Sequence, residues 1–247
     1  MNMAGDLSPR ESRRYHKQIM LPEIGIEGQK KLRNASVLVV GAGGLGCPVL
    51  IYLAAAGTGR IGITEFDLVD ETNLHRQILY GSGDIGKLKS VIAKNRLEEL
   101  NPLITFEIIN LKIDGENSSK IFSNYDIIVD ATDNLEARYA ISDSCVLMKK
   151  PMVHGAVYKH EGQVSVFNYK GGPDYRAYNP ESYRSGLKNP LPANVGLMGV
   201  LPGITGSIMA NEVIKIITGT GSVLSGKLLT LNILNNTFSI LKINKRK

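Results

Sequence analysis

Tryptophan is missing altogether from this 247-residue chain, cysteine occurs twice, histidine four times, and aromatic residues make up only 6%. Cys47 and Cys145 both fall in stretches that read as helices, so they build no disulfide framework, and a reducing compartment is expected. His16, His75, His154 and His160 are scattered along the chain and offer no cluster for a closed zinc site, which needs four thiolates or imidazoles. No apolar run reads as long enough to span a membrane. The opening MNMAGDLSPRESRRYHKQ lacks the apolar core of a signal peptide, so a soluble, cytoplasmic protein is expected. The net charge of +6 is spread over dispersed Lys and Arg, without the aromatic interleaving or helix-turn-helix pattern of a nucleic-acid binder. That charge suits a docking face for an acidic partner. No repeat period and no low-complexity tract occurs, and the length fits one α/β domain with a full core.

The chain does contain a glycine loop between two strand signals. Val37–Val40 is a short β-branched run of the kind buried on both faces of a sheet, and Gly41, Gly43, Gly44 and Gly46 follow it directly. Leu45 and the run Val49–Ala56 then read as a helix with Pro48 in its first turn, where a missing N–H is harmless, and its N-terminus would present free N–H groups to an anion. The next strand, Ile61–Glu65, ends in a carboxylate where a Rossmann unit places its ribose acceptor. Strand, glycines, helix and acid in this order predict a mononucleotide-binding fold.

A polar cluster then departs from an ordinary dinucleotide site. Asn73, Arg76 and Gln77 fall within about one helical turn of each other, Lys87 and Lys89 come soon after, and a second strand-end acid is read at Asp133 in IIVDATDN. A pyrophosphate is served by backbone and helix N-terminus alone. A triphosphate with Mg2+ also needs cations for the β- and γ-phosphates and a carboxylate for the metal. Arg suits forked contacts with phosphate oxygens, and Lys acts as a point charge. Lys87 reads equally as part of a solvated face.

In order along the chain, RYHKQIMLPEIGIEGQKKL, VLVVGAGGLGCP, DETNLHRQILY, DIGKLKS, VDATDN, HGAVYKHEGQVSVFN and GVLPGITGS resemble the E1-like adenylyltransferases of the ThiF/MoeB/HesA family. The resemblance implies a Rossmann-like, mostly parallel sheet continuing into a mixed or antiparallel one that binds a carrier and forms a homodimer. It further implies that Gly41, Gly43, Gly44 and Gly46 line the phosphates and that Asn73, Arg76, Gln77 and Lys89 grip the triphosphate. Asp133 would coordinate Mg2+, and Arg14 would reach into a neighbouring subunit's ATP site. The family's ribose Asp falls on Glu65, with Asp67 as second acid. Lys17 stands where the RYxRQ motif has Arg, keeping the charge but losing the fork.

Two departures are larger. Pro173-Asp174-Tyr175-Arg176-Ala177 occupies the place of the family's first CxxC pair, and the chain ends at Lys247 before a second pair, so no structural zinc is expected. Pro192 stands at the register of the family's covalent cysteine. Within one domain, 1–34 is read as a helical arm, 35–168 as the nucleotide-binding half, 169–195 as a flexible crossover loop, and 196–247 as the carrier-binding and dimer part. Ser90–Leu100 and Leu135–Met148 read as helices, Thr105–Leu111 and Asp126–Asp130 as strands, and Pro151–Val157 with Glu161–Asn168 as paired strands.

The activity so implied is MgATP-dependent adenylylation of the C-terminal Gly-Gly carboxylate of a ubiquitin-like sulfur carrier, in thiamine or molybdopterin synthesis. Two rivals stand beside it: an NAD(P)-linked oxidoreductase on the same Rossmann half, and a non-catalytic E1-like binding protein.

Overall fold

The computed structural model describes residues 6–180 and 195–243. The chain opens with helices α1 (Pro9–Arg14), α2 (His16–Ile19) and α3 (Gly25–Asn34). Ser8 starts α1 with a capping box, its hydroxyl accepting from Glu11 N and the Glu11 carboxylate accepting from Ser8 N.

After these helices come β1 (Ser36–Val40), α4 (Gly46–Ala56), β2 (Arg60–Thr64), α5 (Lys89–Leu100), β3 (Thr105–Ile109), α6 (Ser118–Phe122), β4 (Ile127–Asp130) and α7 (Leu135–Leu147). Strands β5 (Met152–Tyr158) and β6 (Glu161–Phe167) follow, then a short helix α8 (Tyr175–Tyr178), a long helix α9 (Val200–Thr218), and β7 (Lys227–Asn232) with β8 (Thr237–Lys242). One eight-stranded sheet runs in the order β3-β2-β1-β4-β5-β6-β7-β8. Its first five strands are parallel and the remaining pairings antiparallel. The expected passage from a Rossmann-like to an antiparallel sheet is therefore observed.

Every residue of β1 and β4 is buried, which matches their continuous apolar sequence. The strand order reverses between β1 and β4, the crevice where open α/β sheets take ligands. Two apolar clusters flank the sheet. One joins α4 and α9 to its face through Leu50, Leu53, Met209 and Val213, and the other gathers Phe122, Ile141, Phe167 and Tyr175.

Three expectations need correction. Helix α9, at 19 residues, is long and apolar enough by length and composition to cross a bilayer, although no such run was anticipated. Its apolar content comes from packing: Leu201, Met209, Ala210 and Val213 are buried against α4, β5 and β6. The strand-end acid after β4 is Asp130, which is buried, and Asp133 lies three residues further, in the β4–α7 loop. The stretch from Tyr169, read as a flexible loop, carries α8, whose Asp174 cap accepts from Ala177 N at 2.8 Å. Tyr175 is only 1% exposed and packs on His154, Phe167, Tyr139 and Tyr178. The rest of that expected loop, with Pro192, lies outside the described residues up to Val195.

Candidate functional site

A cavity of about 680 Å³ opens at the C-terminal ends of β1 and β4. The glycine loop forms its floor. Gly41 has φ +96°, a left-handed conformation that L side chains rarely adopt, and a Cβ on Gly46 would lie 2.0 Å from Gly41 O. Between them, Ala42 is clamped on both sides: its N–H donates to Glu65 Oε2 at 3.0 Å, and its carbonyl accepts from Tyr80 Oη at 2.8 Å and Cys47 Sγ at 3.4 Å. The loop is thus fixed before any ligand arrives, with the N-terminus of α4 facing the cavity side.

Glu65 lines the cavity, but its carboxylate is directed at backbone. Oε2 takes the Ala42 N–H, and Oε1 accepts from Phe66 N and Asp67 N, both at 2.9 Å. Asp67 is the exposed acid of the expected pair, and its Oδ2 lies 3.2 Å from Lys89 Nζ. Lys89 is only 4% exposed, so this cation is held at the cavity wall by a carboxylate that remains in contact with solvent.

Arg76 and Gln77 also line the cavity. Asn73 does not: its Oδ1 accepts from Arg76 Nη2 at 2.5 Å, while Thr72 O accepts from Arg76 Nη1 at 3.1 Å. Asn73 therefore acts on the guanidinium, not on the cavity. The Gln77 carbonyl oxygen is buried without a hydrogen-bond partner, and its amide nitrogen faces Gly43. Lys87 is exposed and off the wall. Arg14 is exposed and donates to Leu100 O, away from the cavity of its own chain.

The β4–α7 loop also lines the cavity, with Thr132, Asp133 and Asn134, and Asn134 caps α7 by accepting from Ala137 N at 2.9 Å. Sequence reasoning passed over the network beneath this loop. Asp130 is fully buried, with Oδ1 accepting from Thr132 N at 3.1 Å and Thr132 Oγ1 at 2.6 Å, and Oδ2 lying 2.6 Å from His154 Nδ1. Burial alone would raise the Asp130 carboxyl, but the bond from His154, then the charges of His154 and Arg138 and the Thr132 bond, hold it below its usual range. Burial holds the His154 imidazole below its own range against the pull of Asp130. The pair is thus a carboxylate accepting the Nδ1–H of a neutral ring. Arg138, on α7, lines the cavity beside this pair.

Cys47 is packed in the core, and burial pushes its thiol up to about 12. Burial also raises Cys145. Neither is a nucleophile in this state. Among the described residues no group of three or more His, Cys, Asp or Glu side chains is placed to hold a metal ion by itself.

The ThiF family model matches residues 15–247. A Porphyra purpurea protein described as a probable molybdopterin-synthase adenylyltransferase is 48% identical over 96% of this chain, which spans 62% of that protein's length. The sulfur carrier protein adenylyltransferase of Thermus thermophilus is 46% identical, with 94% of this chain and 87% of that protein covered. Among solved structures, MccB of E. coli, determined with ATP, superposes with a TM-score of 0.81 over 97% of this chain and 72% of its own at 21% identity, a likeness of fold. Glycine loop, polar cluster and sheet order agree with these matches, and the chain belongs to the ThiF family.

Proposed function

We propose that this chain uses MgATP to adenylylate the C-terminal Gly-Gly carboxylate of a small ubiquitin-like sulfur-carrier protein, releasing pyrophosphate. The observation that carries the reading is the composition of one cavity wall to wall. A preformed glycine loop, the cations Arg76 and Lys89, and the carboxylate of Asp133 line the same cavity. The relatives named as adenylyltransferases of molybdopterin synthase and of a sulfur carrier point the same way.

The chemistry needs no protein nucleophile. The carrier carboxylate attacks the α-phosphate, the bond to the β-phosphate oxygen breaks, and charge develops on the leaving pyrophosphate. Arg76, steadied by Asn73 and Thr72, and Lys89, steadied by Asp67, are the preformed counter-charges. Asp133 lines the cavity apart from Glu65, whose carboxylate is bound to backbone, and Asp67, which pairs with Lys89, and one such carboxylate suits Mg2+ arriving with substrate phosphates and keeping several waters. Bound there, Mg2+ would neutralise phosphate charge. The buried thiols fit a reaction with no covalent cysteine, and in this reading the chain holds no structural zinc.

Strand β8 ends the sheet with an unpaired edge and exposed Phe238, Ile240 and Leu241, which supports docking of the carrier there. Exposed Met20 and Leu21, close after Arg14, support a homodimer in which Arg14 serves the partner's cavity. The compartment is cytoplasmic in this reading, and the carrier belongs to thiamine or molybdopterin synthesis. Intact-mass analysis of a Gly-Gly carrier incubated with the enzyme and MgATP tests the activity. An adenylylated carrier that hydroxylamine discharges is the expected result, and an unchanged carrier would contradict the reading.

A further inference from the structure

The Asp130–His154 pair lies outside the cavity, yet two ionisable side chains are there taken completely out of water. Such an arrangement is poor value for stability, since apolar side chains of similar volume in a core generally do as well or better. Its geometry has another use. Through Oδ1, Asp130 pins Thr132, the residue before Asp133. Through Oδ2 it faces Arg138 Nε at 4.0 Å, too far for a hydrogen bond but close enough for charge attraction.

Arg138 is held without being satisfied. Nη2 donates to Thr132 O at 2.9 Å, whereas Nε is buried with no hydrogen-bond partner. A guanidinium has five N–H donors, and a buried donor left unpaired carries a cost of roughly 1–3 kcal/mol. A cation that lines a cavity with its donors mostly unused is suited to an anionic oxygen. His154 fixes the other end: its ring stands between Asp130 and the aromatic packing of Tyr175, 4.9 Å between ring centroids, and Phe167, 5.9 Å. Imidazole, carboxylate and guanidinium thus form one line from the core of the second apolar cluster to the cavity.

We propose that Asp130 and His154 are positioning residues that hold Arg138 in the cavity as a third cation beside Arg76 and Lys89, where it contacts an anionic oxygen of the reacting pair. Two sources offer that oxygen, a phosphate of ATP and the carboxylate of the acceptor. The proposal rests on the adenylylation reading, and its test separates the two: wild-type protein without carrier-dependent pyrophosphate exchange would refute that reading, whereas the variants are compared only against an active wild type.

The decisive set is Arg138→Ala, His154→Phe and His154→Asn in the full chain, assayed by pyrophosphate exchange with a Gly-Gly carrier and by titration with MgATP alone. Phe keeps the ring against Tyr175 but cannot donate to Asp130; Asn keeps a donor close to the Nδ1 position. Arg138→Ala and His154→Phe should lose about 10²-fold in kcat/KM with the melting transition still cooperative, and His154→Asn should stay within about threefold of wild type. Weaker MgATP binding by Arg138→Ala assigns the contact to phosphate. Unchanged MgATP binding with a raised carrier KM assigns it to the acceptor carboxylate. Wild-type kinetics for Arg138→Ala would overturn the proposal, as would equal losses in His154→Phe and His154→Asn, which mark a purely structural role. Should His154→Phe fail to fold, Arg138→Ala and His154→Asn still decide.

Discussion

Gly46 has no room for a single methyl group: a Cβ there would lie 2.0 Å from Gly41 O and 2.9 Å from Gly41 C, both backbone atoms that cannot step aside. Gly46→Ala should therefore lower stability by about 1–3 kcal/mol, the range for overpacking a close-packed site, and abolish the thermal shift produced by MgATP. An undiminished shift would show that the loop does not hold phosphate. Arg76→Ala and Asp133→Ala are expected to lose on the order of 10²-fold or more in pyrophosphate exchange while their melting temperatures stay close to wild type, because each removes a preorganised charge and no core packing. Near wild-type exchange in either variant would take that residue out of the mechanism. His154 supplies a pH test. Its folded-state pKa lies below the unfolded value, so protonation favours the unfolded chain. Stability should fall as pH drops below about 6.5, and the depressed Asp130 adds a further loss through the carboxylate range. Denaturant midpoints at a series of pH values should show His154→Asn with a flatter profile in the upper part of that window; an unchanged profile would mean that His154 does not titrate on unfolding.

At the scale of elements, the start of the segment after β6 is the informative case. Tyr175 is buried to 1% and joins an aromatic group with His154, Phe167 and Tyr178, while Arg176 makes a two-pronged bond to Asp143 at 2.6 and 2.7 Å and stacks over Tyr139. Aromatic packing and an ion pair anchor this segment. Tyr175→Ala should cost about 3–5 kcal/mol, whereas a strong chelator should leave the unfolding midpoint unmoved. A chelator-induced drop would reveal a metal that this account lacks. The sequence reading missed this anchor because Gly, Pro, Asn and Ser around it gave a loop composition, and a four-residue helix buried through tyrosines leaves no period to detect. By contrast β1, α4 and β2 were legible, since Val37–Val40 could only be a strand buried on both faces and the glycines that follow demand a tight turn. Charged residues that line the cavity, Arg76 and Asp133 on loops and Lys89 at the first position of α5, were also legible from type and order. Asp130, His154 and Arg138 were not, because their relation is made by β4 and β5 lying side by side, with Asp130 and His154 in register, and no spacing along the chain encodes that pairing.

For the whole molecule, the question is how many chains make one site. Arg14 is exposed and turned away from the cavity of its own chain, yet it stands in a motif whose other members define the family resemblance. Mixing Arg14→Ala with Asp133→Ala under conditions of subunit exchange should restore part of the activity if a neighbour's Arg14 completes the cavity, since one of the two sites in a heterodimer would then be intact. No rescue would confine the site to a single chain. The sheet carries the cavity at its parallel end and an exposed antiparallel edge at the other, with α9 packed on β5, β6 and α4. The central claim, that the cavity joins ATP to a carboxylate terminus, is tested most directly by isotope exchange between pyrophosphate and ATP, measured with a Gly-Gly carrier and with the same carrier lacking its last two residues. Exchange that depends on Mg2+ and on the intact terminus is the predicted result. Exchange absent with both carriers, or binding of NAD in preference to ATP, would contradict it.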